Sequence, residues 1–214
     1  MKRKSFYIGL GLLGLFILWT TALRFVDVGT IGPQGSSVGF QSLNEIVHNI
    51  TGVNMSLYTI TDWLGLVPVG FMIGFGILGL LQWIQRRNLF KVDWSLLTLG
   101  GFYLVMMGMY IFFEMFVVNY RPILINGNLE ASYPSSTTLL VLCVMPTAIM
   151  QFTKRIKSKR FRQFLNSLIT GFITFMVIGR LVSGVHWFSD IIGGCLLSSG
   201  LVLIYHSVNS LKDR

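Results

Sequence analysis

The chain has few charged residues: Asp, Glu, Lys and Arg make up only 12% of its 214 residues. Water-soluble domains carry about 25% charged residues, so the deficit excludes a chain that water solvates over most of its surface. Cysteine is also scarce, with only Cys143 and Cys195, each inside an apolar run. This number and spacing provide neither a disulfide framework nor a zinc-ligand pattern.

Hydrophobic residues, by contrast, make up 53% of the chain and are gathered in long runs. A helix needs about 20 apolar residues to cross a membrane. Six segments meet this requirement, at about residues 5–25, 63–85, 94–118, 134–152, 163–183 and 188–208. The first run is too long for a signal peptide, so we expect it to be retained. The pattern predicts an all-α, polytopic membrane protein with six transmembrane helices, forming a single domain over residues 1–214.

The basic residues are distributed unequally between the two sides of these predicted helices. Of the 17 Lys and Arg residues, only Arg24, Arg121 and Arg180 lie on the side that contains the loop after the first span. The others lie in the two tails and in the loops after the second and fourth spans. Because cytoplasmic loops are rich in Lys and Arg, both termini are predicted to be cytoplasmic. Topology then explains the net charge of +9, and nucleic acid is not needed as a partner.

Two substantial segments are predicted on the non-cytoplasmic side. The longer one, residues 24–62, has apolar residues at helical spacing between residues 38 and 53. This spacing predicts an amphipathic helix that lies on the membrane surface. The second segment, residues 119–136, is short and polar.

His186 and Asp190 lie four residues apart at the predicted start of the sixth span. Ionisable residues near the end of a membrane helix are costly, which makes each a candidate for function. On a helix this spacing stacks the two side chains on one face. A carboxylate bonded to one imidazole nitrogen fixes the tautomer and prepares the other nitrogen to act as a nucleophile or base. The alternative is that Asp190 only caps the helix.

Other polar residues on the same side have the chemistry of a phosphate site. The guanidinium groups of Arg121 and Arg180 fit phosphate oxygens, although a lone interfacial arginine more often extends toward lipid headgroups. The segment Tyr133-Pro134-Ser135-Ser136-Thr137 opens the fourth span. Free amides at a helix N-terminus bind anions, whereas Ser135 or Ser136 could also serve only as a helix cap.

These residues resemble the motifs of the type 2 phosphatidic acid phosphatase (PAP2) superfamily, which shares its site with vanadium haloperoxidases. The third motif is Ser-Arg, then five residues, His, three residues and Asp. Arg180, His186 and Asp190 match it, and Gly179 stands at the serine position. The first motif is Lys, six residues, Arg-Pro; it is matched at Arg121-Pro122, with Glu114 at the lysine position. Glu114 replaces a cation with an anion, and we expect it to pair with Arg121 or Arg180.

The second motif of the family, Pro-Ser-Gly-His, is matched at Pro134-Ser135, with Ser136 and Thr137 in the last two positions. In the family the motif's histidine protonates the leaving oxygen, and Thr137 cannot act as an acid near neutral pH. His48, on the predicted outer helix, is the only other histidine on that side and is a candidate substitute donor. The alternative for His48 is an ordinary surface residue.

The resemblance implies a six-helix, PAP2-like bundle that needs no metal or other cofactor. His186 would attack phosphorus to form a phosphohistidine, with Asp190 orienting its ring. The phosphate would be held by Arg121, Arg180, Ser135, Ser136 and Thr137. The implied function is removal of phosphate from a lipid phosphate or diphosphate, with polyprenyl diphosphate favoured. The protein would lie among the lipids of a bacterial plasma membrane, with its active site on the non-cytoplasmic face. The alternatives are a catalytically impaired relative that binds a lipid phosphate or a partner protein, and a phosphotransferase.

Overall fold

The structure is a computed structural model that describes residues 2–212. Met1, Asp213 and Arg214 lie outside the described residues, as do the side chains of Lys2 and Lys212. Three of the basic residues counted in the cytoplasmic tails, Lys2, Lys212 and Arg214, therefore enter the topology prediction through the sequence alone.

The described residues form a bundle of α-helices. Their bounds are α1 (Lys2–Phe25), α2 (Gln41–Thr51), α3 (Met55–Leu64), α4 (Leu66–Arg86), α5 (Trp94–Met115), α6 (Ser136–Arg155), α7 (Lys159–Val182) and α8 (Phe188–Asn209). Six apolar helical segments are long enough to cross a membrane, and α3 and α4 together form one of them. The prediction of an all-α membrane protein with six spans is confirmed.

Helices α1 and α8 approach each other closely in the bundle. A Cβ atom added at Gly9 would lie 3.0 Å from the carbonyl oxygen of Gly200, and one added at Gly200 would lie 2.7 Å from Leu13 Cδ2. Small residues at such positions let the backbones of membrane helices come into contact and gain packing energy. Helix α8 also packs against α6, and its first turn contacts the loop before α6, where the Ser135 amide donates to the Asp190 carbonyl oxygen.

The short helix α2 lies within the predicted outer amphipathic segment. Its buried residue is Asn44, whose side chain donates to Ser189 Oγ at 2.9 Å and accepts from the Ser189 amide at 3.0 Å. These bonds attach α2 to the first turn of α8. On its other side α2 exposes Ile46 and Ile50. The location of this apolar side on a membrane surface remains a prediction.

A polar network joins the opposite end of the bundle. Asp93, before α5, lies 3.0 Å from Arg86 at the end of α4 and 3.5 Å from Arg155 at the end of α6. The buried Gln151 donates to the carbonyl oxygen of Ser95 at 2.9 Å. The loops that carry most of the basic residues therefore lie together, away from Arg121 and Arg180.

We expect this basic end to face the cytoplasm. A cysteine at Asn128, exposed in the loop between α5 and α6, should react on intact cells with a membrane-impermeant maleimide. A cysteine at Ser158, exposed between α6 and α7, should react only after the cells are permeabilised, because positively charged loops are retained inside. Both variants are made in a background with Cys143 and Cys195 replaced by alanine. Equal labelling of the two variants on intact cells would contradict the orientation.

Candidate active site

The carboxylate of Asp190 is fully buried at the N-terminus of α8. Its Oδ2 accepts from the Trp187 amide at 2.9 Å and from Ser132 Oγ at 2.5 Å, and its Oδ1 accepts from Asn119 Nδ2 at 3.2 Å. A buried carboxylate is costly unless hydrogen-bond donors compensate for the lost water. The capping role considered for Asp190 is therefore present, and the same carboxylate also binds the loop between α5 and α6 at two points, Ser132 and Asn119.

His186 lies in the turn between α7 and α8, and its residue surface is only 3% exposed. Its Nδ1 is 3.0 Å from Ser132 Oγ and 4.0 Å from Asp190 Oδ2. A separation of 4.0 Å is too long for a hydrogen bond. The predicted direct bond between His186 and Asp190 on one helix face is wrong, because α8 begins only at Phe188 and Ser132 lies between the two side chains.

A tight turn brings Arg180 and His186 to the same place. Gly184 has a φ of +66°, and a Cβ atom there would lie 1.8 Å from the carbonyl oxygen of Gly52. Only glycine tolerates both the positive φ and this close approach. The Asn54 amide donates to the Ser183 carbonyl oxygen at 2.9 Å, which holds the turn against the loop before α3.

Arg180 is almost completely buried, with 1% of its surface exposed. Its Nη2 lies 3.3 Å from Nε2 of His186. Its Nη1 lies 3.4 Å from Thr61 Oγ1 and 3.6 Å from Asp62 Oδ1, both in α3. The guanidinium group therefore lies beside the imidazole nitrogen that faces away from Ser132.

Arg121, in the loop after α5, is also buried. The centroid of the Tyr58 ring is 5.8 Å from Cζ of Arg121 and 4.9 Å from Cζ of Arg180. Arg121 Nε lies 3.1 Å from Glu130 Oε2. Nη1 of Arg121 and Nε of Arg180 are buried, and neither has a hydrogen-bond acceptor among the described residues. Such buried donors are suited to the oxygens of an anion.

The predicted phosphate-binding segment forms the start of α6. Ser135 is buried, its amide donates to the Asp190 carbonyl oxygen at 3.1 Å, and its Oγ accepts from Thr138 at 3.1 Å. Ser135 therefore connects α6 to α8. Helix α6 begins at Ser136, so the amides of Ser136 and Thr137 have no acceptor within the helix and can bind an anion.

Part of the chain is similar to a known protein family. A model of the PAP2 superfamily matches residues 115–213, which contain Arg121, Arg180, His186 and Asp190. In this part of its sequence the chain resembles the PAP2 superfamily.

A solved structure has the same fold. It is described as the first transmembrane PAP2 type phosphatidylglycerolphosphate phosphatase from Bacillus subtilis. The similarity covers 94% of this chain and 94% of that one, with a TM-score of 0.61 and 18% sequence identity. No curated protein matches the chain.

Glu114, at the lysine position of the first PAP2 motif, does not pair with an arginine as predicted. Arg121 lies beside Glu130 and Arg180 beside Asp62, whereas Glu114 has no ion pair among the described residues. Glu114 is exposed in the last turn of α5 and lines a narrow cleft with Ser136. Glu130 and Asp62 provide the acidic contacts of the two guanidinium groups in its place.

His48 packs against the residue that follows the candidate nucleophile. Its ring centroid is 5.4 Å from that of Trp187. Burial lowers the pKa of His48 below its usual value, so less of this histidine is protonated at neutral pH. This environment makes His48 a poorer proton donor than an exposed histidine.

Gly179, at the serine position of the third PAP2 motif, faces α3. A Cβ atom at this position would lie 2.8 Å from Cγ2 of Thr61, the residue whose Oγ1 contacts Arg180. The methyl group of Thr61 therefore occupies the space that a serine side chain would need. The glycine at position 179 of α7 and Thr61 of α3 are therefore coupled by packing.

Several side chains at the site were not predicted from the sequence. They are Tyr58, Thr61, Asp62, Asn119, Glu130 and Ser132. Asn119 and Ser132 lie close in sequence to recognised motif residues, which is the only signal that favours them. The α3 residues are more than 50 positions from any motif, and no sequence pattern marks them.

The surroundings of His186 favour its neutral form. Burial and the positive charges of Arg121 and Arg180 hold the pKa of His186 well below its usual value of 6.5, and the contact with Ser132 opposes this shift only weakly. His186 is therefore neutral at pH 7, and it stays neutral as the pH falls through 6.5. A neutral imidazole has the free electron pair that a nucleophile needs.

Removing one of these positive charges should raise the pKa of His186. In 15N-histidine NMR spectra of the detergent-solubilised protein, we expect wild-type His186 to remain neutral at pH 6 and Arg121→Gln to raise its pKa toward 6.5. Arg24→Gln is the control, since Arg24 binds the Val117 carbonyl oxygen and is not among the causes of the shift. The signal is assigned with His186→Gln. A wild-type midpoint near 6.5 would contradict the assigned electrostatics.

Restoring the family's serine at position 179 should destabilise the protein. Overpacking against Thr61 costs about 1–3 kcal/mol, so Gly179→Ser should lower the unfolding temperature in detergent. Thr61→Ser removes the methyl group but keeps the hydroxyl, and the double variant should recover most of the loss. Gly171→Ser is the matched control on α7, because nothing lies within 4 Å of its added Cβ. An equal effect at positions 171 and 179 would rule out this coupling.

Proposed function

We propose that the protein is a membrane lipid phosphatase that acts through a phosphohistidine at His186 on the non-cytoplasmic face. The observation that carries the proposal is the position of Nε2 of His186, 3.3 Å from the guanidinium group of Arg180. A neutral nucleophile beside buried cationic donors is suited to attack on a phosphoryl group. Resemblance to the PAP2 superfamily supports the same reaction class.

The phosphate is proposed to bind between the two arginines and the start of α6. Arg121 Nη1 and Arg180 Nε supply buried N–H groups, and Ser136 and Thr137 supply free helix amides. Without phosphate, Glu130 and Asp62 compensate part of the positive charge. The side chains of these two acids are 40% and 58% exposed, so water can solvate them when an anion takes their place.

The proposed reaction has two displacements at phosphorus. In the first, Nε2 of His186 attacks the terminal phosphorus, the bond from phosphorus to the leaving oxygen breaks, and a phosphohistidine forms. In the second, water attacks the same phosphorus, the P–N bond breaks, and inorganic phosphate leaves with the neutral imidazole restored. Arg121 and Arg180 stabilise the negative charge of the transferring group in both steps.

Thr137 bears on which lipid phosphate is the substrate. A phosphate monoester releases an alkoxide, whose conjugate acid is about as weak an acid as water. A diphosphate releases a phosphate monoester, whose second pKa is about 6. The diphosphate therefore needs a proton donor far less, and Thr137 cannot supply one near neutral pH. This reasoning favours a lipid diphosphate such as polyprenyl diphosphate.

A second candidate function is binding of a lipid phosphate without turnover. Thr137 and Glu114 favour it, since they replace the family's acid and one of its cations. The oriented imidazole of His186 favours catalysis, because a protein that only binds phosphate does not need one. Phosphotransfer from His186 to another lipid would use the same intermediate and is a third outcome of the test.

The test measures phosphate release by the purified protein from polyprenyl diphosphate, phosphatidic acid and phosphatidylglycerophosphate. We expect release to be fastest from the diphosphate and to be absent in His186→Asn. Thr137→His should increase release from the two monoesters by about 10²-fold or more, which is the contribution of a general acid. Thr137→Asn is the matched control, since asparagine is polar but cannot donate a proton in this way.

Two results would contradict the proposal. The first is that wild type releases phosphate from all three lipids at equal rates and that Thr137→His does not change these rates. This result would show that the leaving group does not limit the reaction. No turnover of any lipid, even by Thr137→His combined with Glu114→Lys, would favour the binding function, which lipid-phosphate binding by the inactive protein would then support. Transfer of labelled phosphate to a second lipid, without release, would identify a phosphotransferase.

A further inference from the structure

The hydroxyl group of Ser132 lies between the two residues of the third motif that were expected to touch. It is 3.0 Å from Nδ1 of His186 and 2.5 Å from Oδ2 of Asp190, which are 4.0 Å apart. We propose that Ser132 is a positioning residue, through which the charge of Asp190 holds Nδ1–H of His186 and directs Nε2 toward the phosphate. The catalytic part of this inference rests on the proposed function of His186.

The hydrogen bonds around Asp190 determine the direction of the Ser132 bond. The other groups that contact its carboxylate, the Trp187 amide and Asn119 Nδ2, can only donate. This set fits an ionised carboxylate, which can only accept. The single hydroxyl proton of Ser132 therefore points to Asp190, and its oxygen is left to accept a proton from Nδ1 of His186.

The opposite side of the imidazole ring leads independently to the same tautomer. A guanidinium group has no acceptor, so Arg180 Nη2 can only donate to Nε2 of His186, at 3.3 Å. Nε2 must then carry the free electron pair, and in a neutral ring the proton must be on Nδ1. Both neighbours of the ring thus require Nδ1–H, and the nucleophilic nitrogen is the one beside the arginine.

The backbone around Ser132 holds its hydroxyl group in place. The Ser132 amide donates to the Asn119 carbonyl oxygen at 2.9 Å, and Ser132 itself is buried. The next residue, Tyr133, is anchored by a 2.7 Å bond between its hydroxyl group and Thr20 Oγ1 of α1. Ser132 therefore cannot move away without loss of contacts in two other parts of the chain.

This arrangement has a consequence for the attack on phosphorus. When Nε2 forms a bond to phosphorus, positive charge develops on the imidazole ring. The chain from Nδ1–H through Ser132 Oγ to Asp190 places a negative charge at the end of two hydrogen bonds, which stabilises that ring. Removal of the hydroxyl group would leave Nδ1–H and the carboxylate each short of a buried partner.

Steady-state kinetics of Ser132→Ala tests the catalytic consequence. We expect kcat to fall by about 10²-fold. This loss is smaller than the roughly 10⁴-fold loss that follows when a catalytic histidine is left in the wrong tautomer. KM should change little, because Ser132 is not among the groups proposed to hold the phosphate. Ser198→Ala is the matched control: it removes another buried serine hydroxyl, which bonds only within α8, and should leave kcat unchanged.

NMR of 15N-histidine-labelled protein tests the positioning without any turnover. Wild type should show a downfield proton on Nδ1 of His186 that exchanges slowly with water, because it is hydrogen-bonded and buried. Ser132→Ala should lose this signal or its protection from exchange, whereas Ser198→Ala should keep both. Thermal unfolding of each variant verifies that it is folded.

Absence of the protected Nδ1 proton in wild type, or its persistence in Ser132→Ala, would overturn the proposal. A kcat for Ser132→Ala equal to that of Ser198→Ala would overturn it as well. If wild type releases phosphate from no lipid, the proposed function fails, and the Nδ1 proton alone then decides whether Ser132 positions His186.

Discussion

The site is organised by the need to satisfy one carboxylate that is removed from water. Asp190 is fully buried, and its oxygens receive hydrogen bonds from Ser132, Asn119 and the Trp187 amide. Its backbone carbonyl oxygen also accepts from the Ser135 amide. The N-terminus of α8 therefore positions both ends of the loop between α5 and α6, together with the start of α6. Loss of any one donor would leave part of a buried charge unpaired, at a cost of about 1–3 kcal/mol.

The second constraint is the presence of two buried arginines close to each other. Arg121 and Arg180 both lie near the ring of Tyr58, and like charges at short range repel in a poorly solvated site. Asp62 and Glu130 offset this repulsion from the exposed edge. A phosphate bound between the two guanidinium groups would offset their repulsion more effectively. On the proposed function, affinity for an anion follows from how these positive charges are buried, and the free amides at the start of α6 add to it.

The sequence predicted the six spans and the candidate nucleophile, because long apolar runs and the spacing of Arg180, His186 and Asp190 are local patterns. It did not predict that Ser132 lies between His186 and Asp190, since this depends on where α8 begins and on a loop 54 residues away. The α3 residues were missed for a similar reason. Thr61 fills the space left at Gly179 only because α3 packs on α7, and no spacing in the sequence records such a contact.

The proposed chemistry also determines what limits the second step. Breaking the P–N bond releases a neutral imidazole, whose conjugate acid has a pKa of about 6.5, so this leaving group needs no acid. The attacking water must lose a proton, however, and Thr137 offers no base. On the proposed mechanism the phosphohistidine is therefore longer-lived than it would be if position 137 were a histidine, as in the family's second motif. A hydroxyl or phosphate group of another lipid would then compete with water, so hydrolysis and phosphotransfer diverge only after this intermediate has formed.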